Sequence, residues 1–312
     1  MPQSAQDPER ILRRLEWTVV RRLDGLLHGD YRTLFRGCGL DFADLREYQS
    51  QDDVRYIDWN VTARLETPYV REYNEDRDVT AWFLLDLSPS VDFGSRQVSK
   101  CSVSTEFVTL LAQILSRQGN RIGAILYSDR VDAVIPPRSG RRHVLHVLHR
   151  IISRPVLTHS APTDVNHLLQ TALRVVRRRS IVFVVSDFIS LPGWSKPLTQ
   201  LAQCHDVVAV RLCDPLETEL PDLGMLTVQD AETGAQLFVD MSDKAFRKRF
   251  AEAVEQRAAA LRKAFGQAGV DAMELSTQDD LVEAILRFAD LRKRHNRLAG
   301  VGGLPRHIES SG

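Results

Sequence analysis

The run Ala81-Trp82-Phe83-Leu84-Leu85-Asp86-Leu87-Ser88-Pro89-Ser90 holds the residues of this chain best suited to chemistry. Its five leading apolar residues read as a buried strand. The strand ends in a carboxylate, and two hydroxyls follow at alternating positions. Asp86, Ser88 and Ser90 therefore share one face where an extended chain leaves a sheet. Together they offer hard oxygen ligands, which a cation such as Mg²⁺ accepts in octahedral geometry. Two later segments can complete the set. Thr163-Asp164 opens a predicted helix, and Asp187 terminates a second apolar run, Ser180-Ile181-Val182-Phe183-Val184-Val185-Ser186. Taken singly, each residue also has an ordinary structural role. Ser88, Ser90 and Thr163 can cap the segments that follow them, and Asp187 can be a turn residue.

The pattern D-x-S-x-S, then a Thr in a helix-opening loop, then an Asp at the end of an apolar strand, resembles the metal-ion-dependent adhesion site of von Willebrand factor A domains. The resemblance implies that the hydroxyls of Ser88, Ser90 and Thr163 bind Mg²⁺ or Mn²⁺ directly. It implies that Asp86 and Asp187 act directly or through water. Only two formal charges then surround a dication, so the ion stays electrophilic and a carboxylate from a partner is a favourable sixth ligand.

A second resemblance precedes the first. Leu45-Arg46-Glu47-Tyr48-Gln49, then Asp52-Asp53-Val54-Arg55-Tyr56-Ile57-Asp58-Trp59-Asn60-Val61-Thr62-Ala63-Arg64, then Pro68-Tyr69-Val70-Arg71-Glu72 is similar to the signature of the domain of unknown function 58 family. That family places this block directly before a von Willebrand A-like domain, and the two resemblances together span roughly residues 30 to 290. Two departures stand out. The family usually has Pro-Gly where Ser50-Gln51 stand, and often Met where Val91 stands. Both lie beside ligands or signature residues rather than on them. The family resemblance also implies partnership with MoxR-type AAA+ ATPases in the assembly or maturation of other protein complexes.

The expected function is thus a non-enzymatic, Mg²⁺-dependent protein-binding module. The alternative is a metal-dependent phosphoester hydrolase, a phosphatase or nuclease, working at the same residues. Against it, a phosphatase attacking through aspartate needs a second acid where Ser88 stands, and no positioned general base is evident. A third possibility is a structural scaffold whose site takes no metal.

Other constellations read as structure. Asp52, Asp53 and Asp58 invite a nuclease reading, but capping accounts for Asp52 and Asp53 at a helix start. Ile57 and Trp59 are expected to pack the N-terminal module onto the main domain, with Trp59→Ala costing about 3–5 kcal/mol if the ring is buried. His143, His146 and His149 recur at three-residue spacing on one helix, near His159 and His167. A transition-metal site needs convergent geometry that this spacing does not supply. Residues 94–100 lack the second Gly and the Lys-Ser/Thr pair of a P-loop.

The 41 basic and 41 acidic residues cancel, so no overall field draws the chain to nucleic acid or an anionic membrane. The runs Arg177-Arg178-Arg179 and Arg292-Lys293-Arg294 read as solvated faces. Cys38, Cys101, Cys204 and Cys213 have no paired spacing, so reduced thiols in the cytoplasm are expected. No apolar run approaches the roughly 20 residues of a membrane span, and no signal peptide is expected.

The elements that must position the site alternate along the chain. A helix is predicted over 8–28, a strand over 40–48, a helix over 52–65 and a strand over 68–73. These make a small α+β module spanning residues 1–78. From Thr80 onward strands alternate with helices, which predicts a doubly wound, mostly parallel α/β sheet of von Willebrand A type over residues 79–295. Strands are expected at 121–127, 131–135 (ended by Pro136-Pro137), 181–185, 207–212 and 273–275, with a hairpin at 226–239. Helices are expected at 98–118, 142–152, 163–178, 196–204, 242–266 and 279–294. A disordered tail is expected over 296–312. Ligands of such sheets bind where strand order reverses, at the carboxyl ends of strands. Asp86 and Asp187 are both predicted at such ends.

Overall fold

Apolar runs without alternation suit strands covered on both faces, and the central strands here are of that kind. A computed structural model of the chain describes residues 8–9, 40–49, 57–65, 67–75, 80–95, 98–155, 162–230 and 233–299. Its first half comprises β1 (Leu40–Glu47), α1 (Trp59–Leu65), β2 (Tyr69–Glu75), β3 (Thr80–Asp86), α2 (Lys100–Arg117), β4 (Arg121–Tyr127), β5 (Val131–Arg138) and α3 (Arg141–Ile152). There follow α4 (Val165–Val175), β6 (Ile181–Ser186), α5 (Ser195–Cys204), β7 (Asp206–Cys213) and α6 (Pro215–Thr218). The remainder is β8 (Met225–Gln229), β9 (Gln236–Asp240), α7 (Lys244–Ala268), β10 (Asp271–Ser276) and α8 (Leu281–Ala299).

Six strands form the central sheet in the order β10-β7-β6-β3-β4-β5. All pair in parallel except β5, which runs antiparallel to β4. The α/β fold is therefore doubly wound and mostly parallel. From β3 the chain moves outward through β4 and β5, then returns to lay β6, β7 and β10 on the other side. Strand order thus reverses between β3 and β6, the switch point at whose strand ends open sheets of this kind have their crevice. Residues at alternate positions feed two separate cores. Phe83, Leu85, Phe183 and Val185 pack under α2, α3 and α8, while Trp82, Leu84, Val182 and Val184 pack under α4, α5 and α7. Phe83 stacks on Phe183 at 5.1 Å, and Phe107 of α2 meets Phe183 edge-on at 6.1 Å. Two small antiparallel pairs, β1 with β2 and β8 with β9, lie outside this sheet.

Several expectations need correction. Pro136 and Pro137 do not end β5, because an edge strand does not need every N–H, and a register shift beside them takes up one extra residue. Of the helix expected over 52–65, residues 52–56 lie outside the described residues, Ile57 and Asp58 are not helical, and the helix runs from Trp59. Ile57 instead bridges to Val70, and Asp58 caps the first turn through Val61 N–H. Trp59 consequently points outward and is 68% exposed, rather than packing on the main domain. Trp59→Ala is therefore expected to change unfolding free energy by less than about 1 kcal/mol, measured by chemical denaturation. Arg292 is not solvated: it is buried and pairs with Asp206 and with Asp271 at 2.9 Å, where α8 meets the start of two strands. Helix α8 also runs to Ala299, past the expected start of the tail at 296. Most of the helix expected over 8–28, all of the tail beyond 299, and Asp52 and Asp53 lie outside the described residues.

Candidate metal centre

Asp86 is the last residue of β3 and is fully buried. Ser88 N–H donates to its Oδ1 at 3.0 Å, and the Ser186 hydroxyl donates to its Oδ2 at 2.6 Å. A short 3₁₀ turn over Pro89–Asp92 then folds the chain back, with Val91 N–H donating to the Ser88 carbonyl at 3.0 Å. That turn brings the Ser88 and Ser90 hydroxyl oxygens 3.1 Å apart. Two cis ligands of an octahedral Mg²⁺, each about 2.1 Å from the ion, are about 3.0 Å apart, so the serine pair has the spacing such an ion requires.

Asp187 follows β6 on the adjacent strand, and its Oδ1 accepts Ile189 N–H at 2.9 Å. Asp86 and Asp187 feel one another. Burial, and then the charge of Asp187, push the Asp86 carboxyl up to about 6 against the hydrogen bonds from Ser186 and Ser88. Phe188, the next residue, has φ of 54°, a left-handed conformation rare outside glycine. Ser186 Oγ accepts its N–H at 2.9 Å, and the ring packs on Phe265 at 4.9 Å and Trp194 at 5.4 Å. Backbone strain of this kind persists only where the surroundings enforce it, and here it turns the chain directly after Asp187.

Thr163 is buried at the entry to α4. Its carbonyl accepts Leu191 N–H at 2.9 Å and the Ser190 hydroxyl at 3.0 Å, which ties it to the loop leaving Asp187. Asp164 is the helix cap, accepting Asn166 N–H, so Thr163 is not needed for that task. The five sequence-selected residues thus come from three segments around the crevice between β3 and β6.

The sequence reading missed Lys100, Glu217 and Ser186. Lys100 is fully buried and donates to Asp187 Oδ2 at 2.8 Å and to Glu217 Oε1 at 2.6 Å. Burial alone pulls its pKa down, but the two carboxylates outweigh that, so its net shift is upward and the ammonium stays charged. A lysine at the first position of a helix, facing the positive end of the dipole, is the trace this arrangement leaves in the sequence. Asp214 braces the same rim. It accepts Ser95 N–H and hydroxyl at 3.0 Å each and the Thr277 hydroxyl at 2.7 Å, and despite burial these bonds hold its carboxyl below the usual range.

Gly94 closes the loop between Ser90 and Lys100. A Cβ there would lie 2.3 Å from the Val98 carbonyl oxygen. Gly94→Ala is expected to displace that loop and cost about 1–3 kcal/mol in thermal unfolding, with weaker divalent binding measured by calorimetry.

Neither Ser139 to Arg142 nor Trp194 is an open contact beside Asp86 and Asp187. Ser139 to Arg142 follows antiparallel β5 and so lies at the opposite end of the sheet from Asp86. Trp194 is buried against Phe188 and Phe265. On α3, His143 uses its ring nitrogen on the Ile122 carbonyl at 2.7 Å. Among the described residues no group of three or more His, Cys, Asp or Glu side chains is placed to hold a metal ion.

The family described as "Protein of unknown function DUF58" matches residues 44–260. The chain belongs to it. This DUF58 protein is 35% identical over 289 residues to an uncharacterized protein of Mycobacterium bovis, covering 93% of this chain and 90% of that one, and the same figures hold for one from Mycobacterium tuberculosis. Among solved structures, the DUF58 chain is similar to the conserved hypothetical protein BatB from Bacteroides thetaiotaomicron, with a TM-score of 0.44 and 13% identity over 69% of this chain and 99% of that one. It is also similar to a von Willebrand factor type A protein from Catenulispora acidiphila, with a TM-score of 0.38 and 9% identity over 71% of this chain and 43% of that one. No helix among the described residues is long and apolar enough to cross a membrane.

Proposed function

We propose that this DUF58 protein is a non-enzymatic protein-binding module that docks its partner through a divalent cation, Mg²⁺ or Mn²⁺. Ser88, Ser90 and Thr163 would hold the ion with Asp86 and Asp187. When bound, the ion supplies a Lewis-acidic position that accepts a carboxylate from another protein. The observation that carries this reading is the state of Asp86. It is buried, its carboxyl is pushed up to about 6, and among the described residues no ammonium or guanidinium pairs with it. A buried carboxylate without a cation is costly, and a dication beside the serine pair removes that cost.

The geometry gives little support to hydrolysis. Ser88 stands where an aspartate nucleophile would need an acid, and Glu217 and Lys100 are engaged with each other rather than poised as a base. The partner class follows from the family resemblance: an AAA+ ATPase of MoxR type, with the pair acting in assembly or maturation of other complexes, in the cytoplasm.

Capture of a co-encoded AAA+ ATPase by the immobilised full chain is expected to fall at least tenfold in EDTA. The Ser88→Ala/Ser90→Ala variant is expected to lose capture equally while retaining its circular dichroism spectrum. Capture unchanged under both conditions would overturn metal-mediated docking. Turnover of p-nitrophenyl phosphate or a DNA oligonucleotide by the Mg²⁺-loaded protein, lost in Asp86→Asn, would establish the hydrolase instead.

A further inference from the structure

Lys100 is the buried charge that the proposed metal chemistry leaves unused. It opens α2, where the helix dipole disfavours a cation, yet its ammonium is wholly enclosed. It donates to Asp187 Oδ2 at 2.8 Å and to Glu217 Oε1 at 2.6 Å. The other Asp187 oxygen accepts Ile189 N–H. Both oxygens of one site carboxylate are thus engaged by the protein itself, and one of them by a full positive charge. Asp86, in contrast, is held among the described residues by neutral groups, Ser88 and the Ser186 hydroxyl.

We propose that Lys100 is a positioning residue that reserves Asp187, lowering the site's affinity for a divalent cation and keeping a bound ion short of negative charge. Resting on the metal reading above, this assigns the two aspartates different tasks. Asp86 supplies the uncompensated charge that attracts the ion. Asp187 is paired in advance with Lys100, so at close range an incoming dication meets one unpaired carboxylate, Asp86, rather than two. The deficit is what an acidic side chain of the partner makes up. Glu217 shares the ammonium and draws part of it away from Asp187, so it tunes the same balance from α6.

The charge of Lys100 makes the test a gain of binding, which damage to the fold does not mimic. Lys100→Met alone strands the buried Asp187 and the partly buried Glu217, so the informative variant is Lys100→Met/Glu217→Gln, which removes one charge of each sign. Mn²⁺ is titrated by calorimetry into the wild-type chain, this double variant, Lys100→Arg and Glu217→Gln, with circular dichroism as the check on folding. The double variant is expected to bind Mn²⁺ at least about tenfold more tightly, because Asp187 is released to the ion at close range. Lys100→Arg keeps the positive charge and is expected to stay near wild type. Glu217→Gln leaves the ammonium wholly on Asp187 and is expected to weaken binding, by about threefold or more. Unchanged or weaker binding in a folded double variant, or unchanged or tighter binding in Glu217→Gln, overturns the role of Lys100 while leaving the metal site standing. Absence of Mn²⁺ binding in every chain, wild type included, overturns the metal reading itself.

Discussion

Asp86→Asn is expected to abolish divalent binding while making the metal-free protein more stable at neutral pH. The two effects have one cause. Burial and the neighbouring Asp187 raise the folded pKa of Asp86 from 3.8 to about 6. A carboxyl raised in this way binds a proton more readily in the folded chain than in the unfolded one. Metal-free stability therefore falls as pH rises between about 4 and about 6, and above that window the loss is complete. A shift of this size corresponds to an order of 2–3 kcal/mol, which asparagine recovers because it has no charge to bury. Thermal unfolding in EDTA at pH 7.5 is expected to show a higher midpoint for Asp86→Asn than for wild type. Added Mg²⁺ is expected to raise the wild-type midpoint and to leave that of the variant unmoved. A variant that is less stable in EDTA, or that still responds to Mg²⁺, contradicts the role given to Asp86.

The second large effect is expected at Phe188, whose ring is buried among Trp194 and Phe265. Phe188→Ala removes that ring and is expected to cost about 3–5 kcal/mol in denaturant unfolding. Because the residue holds φ at 54°, the same loss of contacts in Phe188→Gly comes without left-handed strain. Glycine is therefore expected to be no worse than alanine, and better by up to about 1 kcal/mol after its greater unfolded-state entropy is counted. Both variants leave the chain after Asp187 less constrained, so Mn²⁺ affinity is expected to fall in each. Alanine clearly more stable than glycine would mean that the packing, not the backbone, sets the local conformation.

Much of this was legible in the residues. Unbroken apolar runs gave the central strands, since strands covered on both faces need no polar alternation, and their alternation with helices implied the parallel sheet. The crevice was legible too, because Asp86 and Asp187 each ended such a run. What the sequence hid were consequences of chain direction and distance. That β5 runs antiparallel, carrying Ser139 to Arg142 away from the crevice, depends on pairing rather than on local propensity. The Lys100–Asp187–Glu217 triad joins residues 87 and 117 positions apart, and no periodicity encodes such a meeting. Trp59 was misjudged because a large aromatic usually packs, while the start of α1 one residue after Asp58 turns this one outward.

The doubled proline on β5 bears on how the molecule behaves in a crowd. A sheet with an open margin is a template on which a strand from another molecule can lengthen it, the first step towards fibrils. At Pro136 and Pro137 the edge strand β5 has no N–H donor and carries an extra residue that breaks the register. A strand arriving from outside finds neither a continuous ladder nor a straight backbone to zip against. The two prolines thus work against strand addition at the β5 margin, leaving β10 as the sheet's other margin.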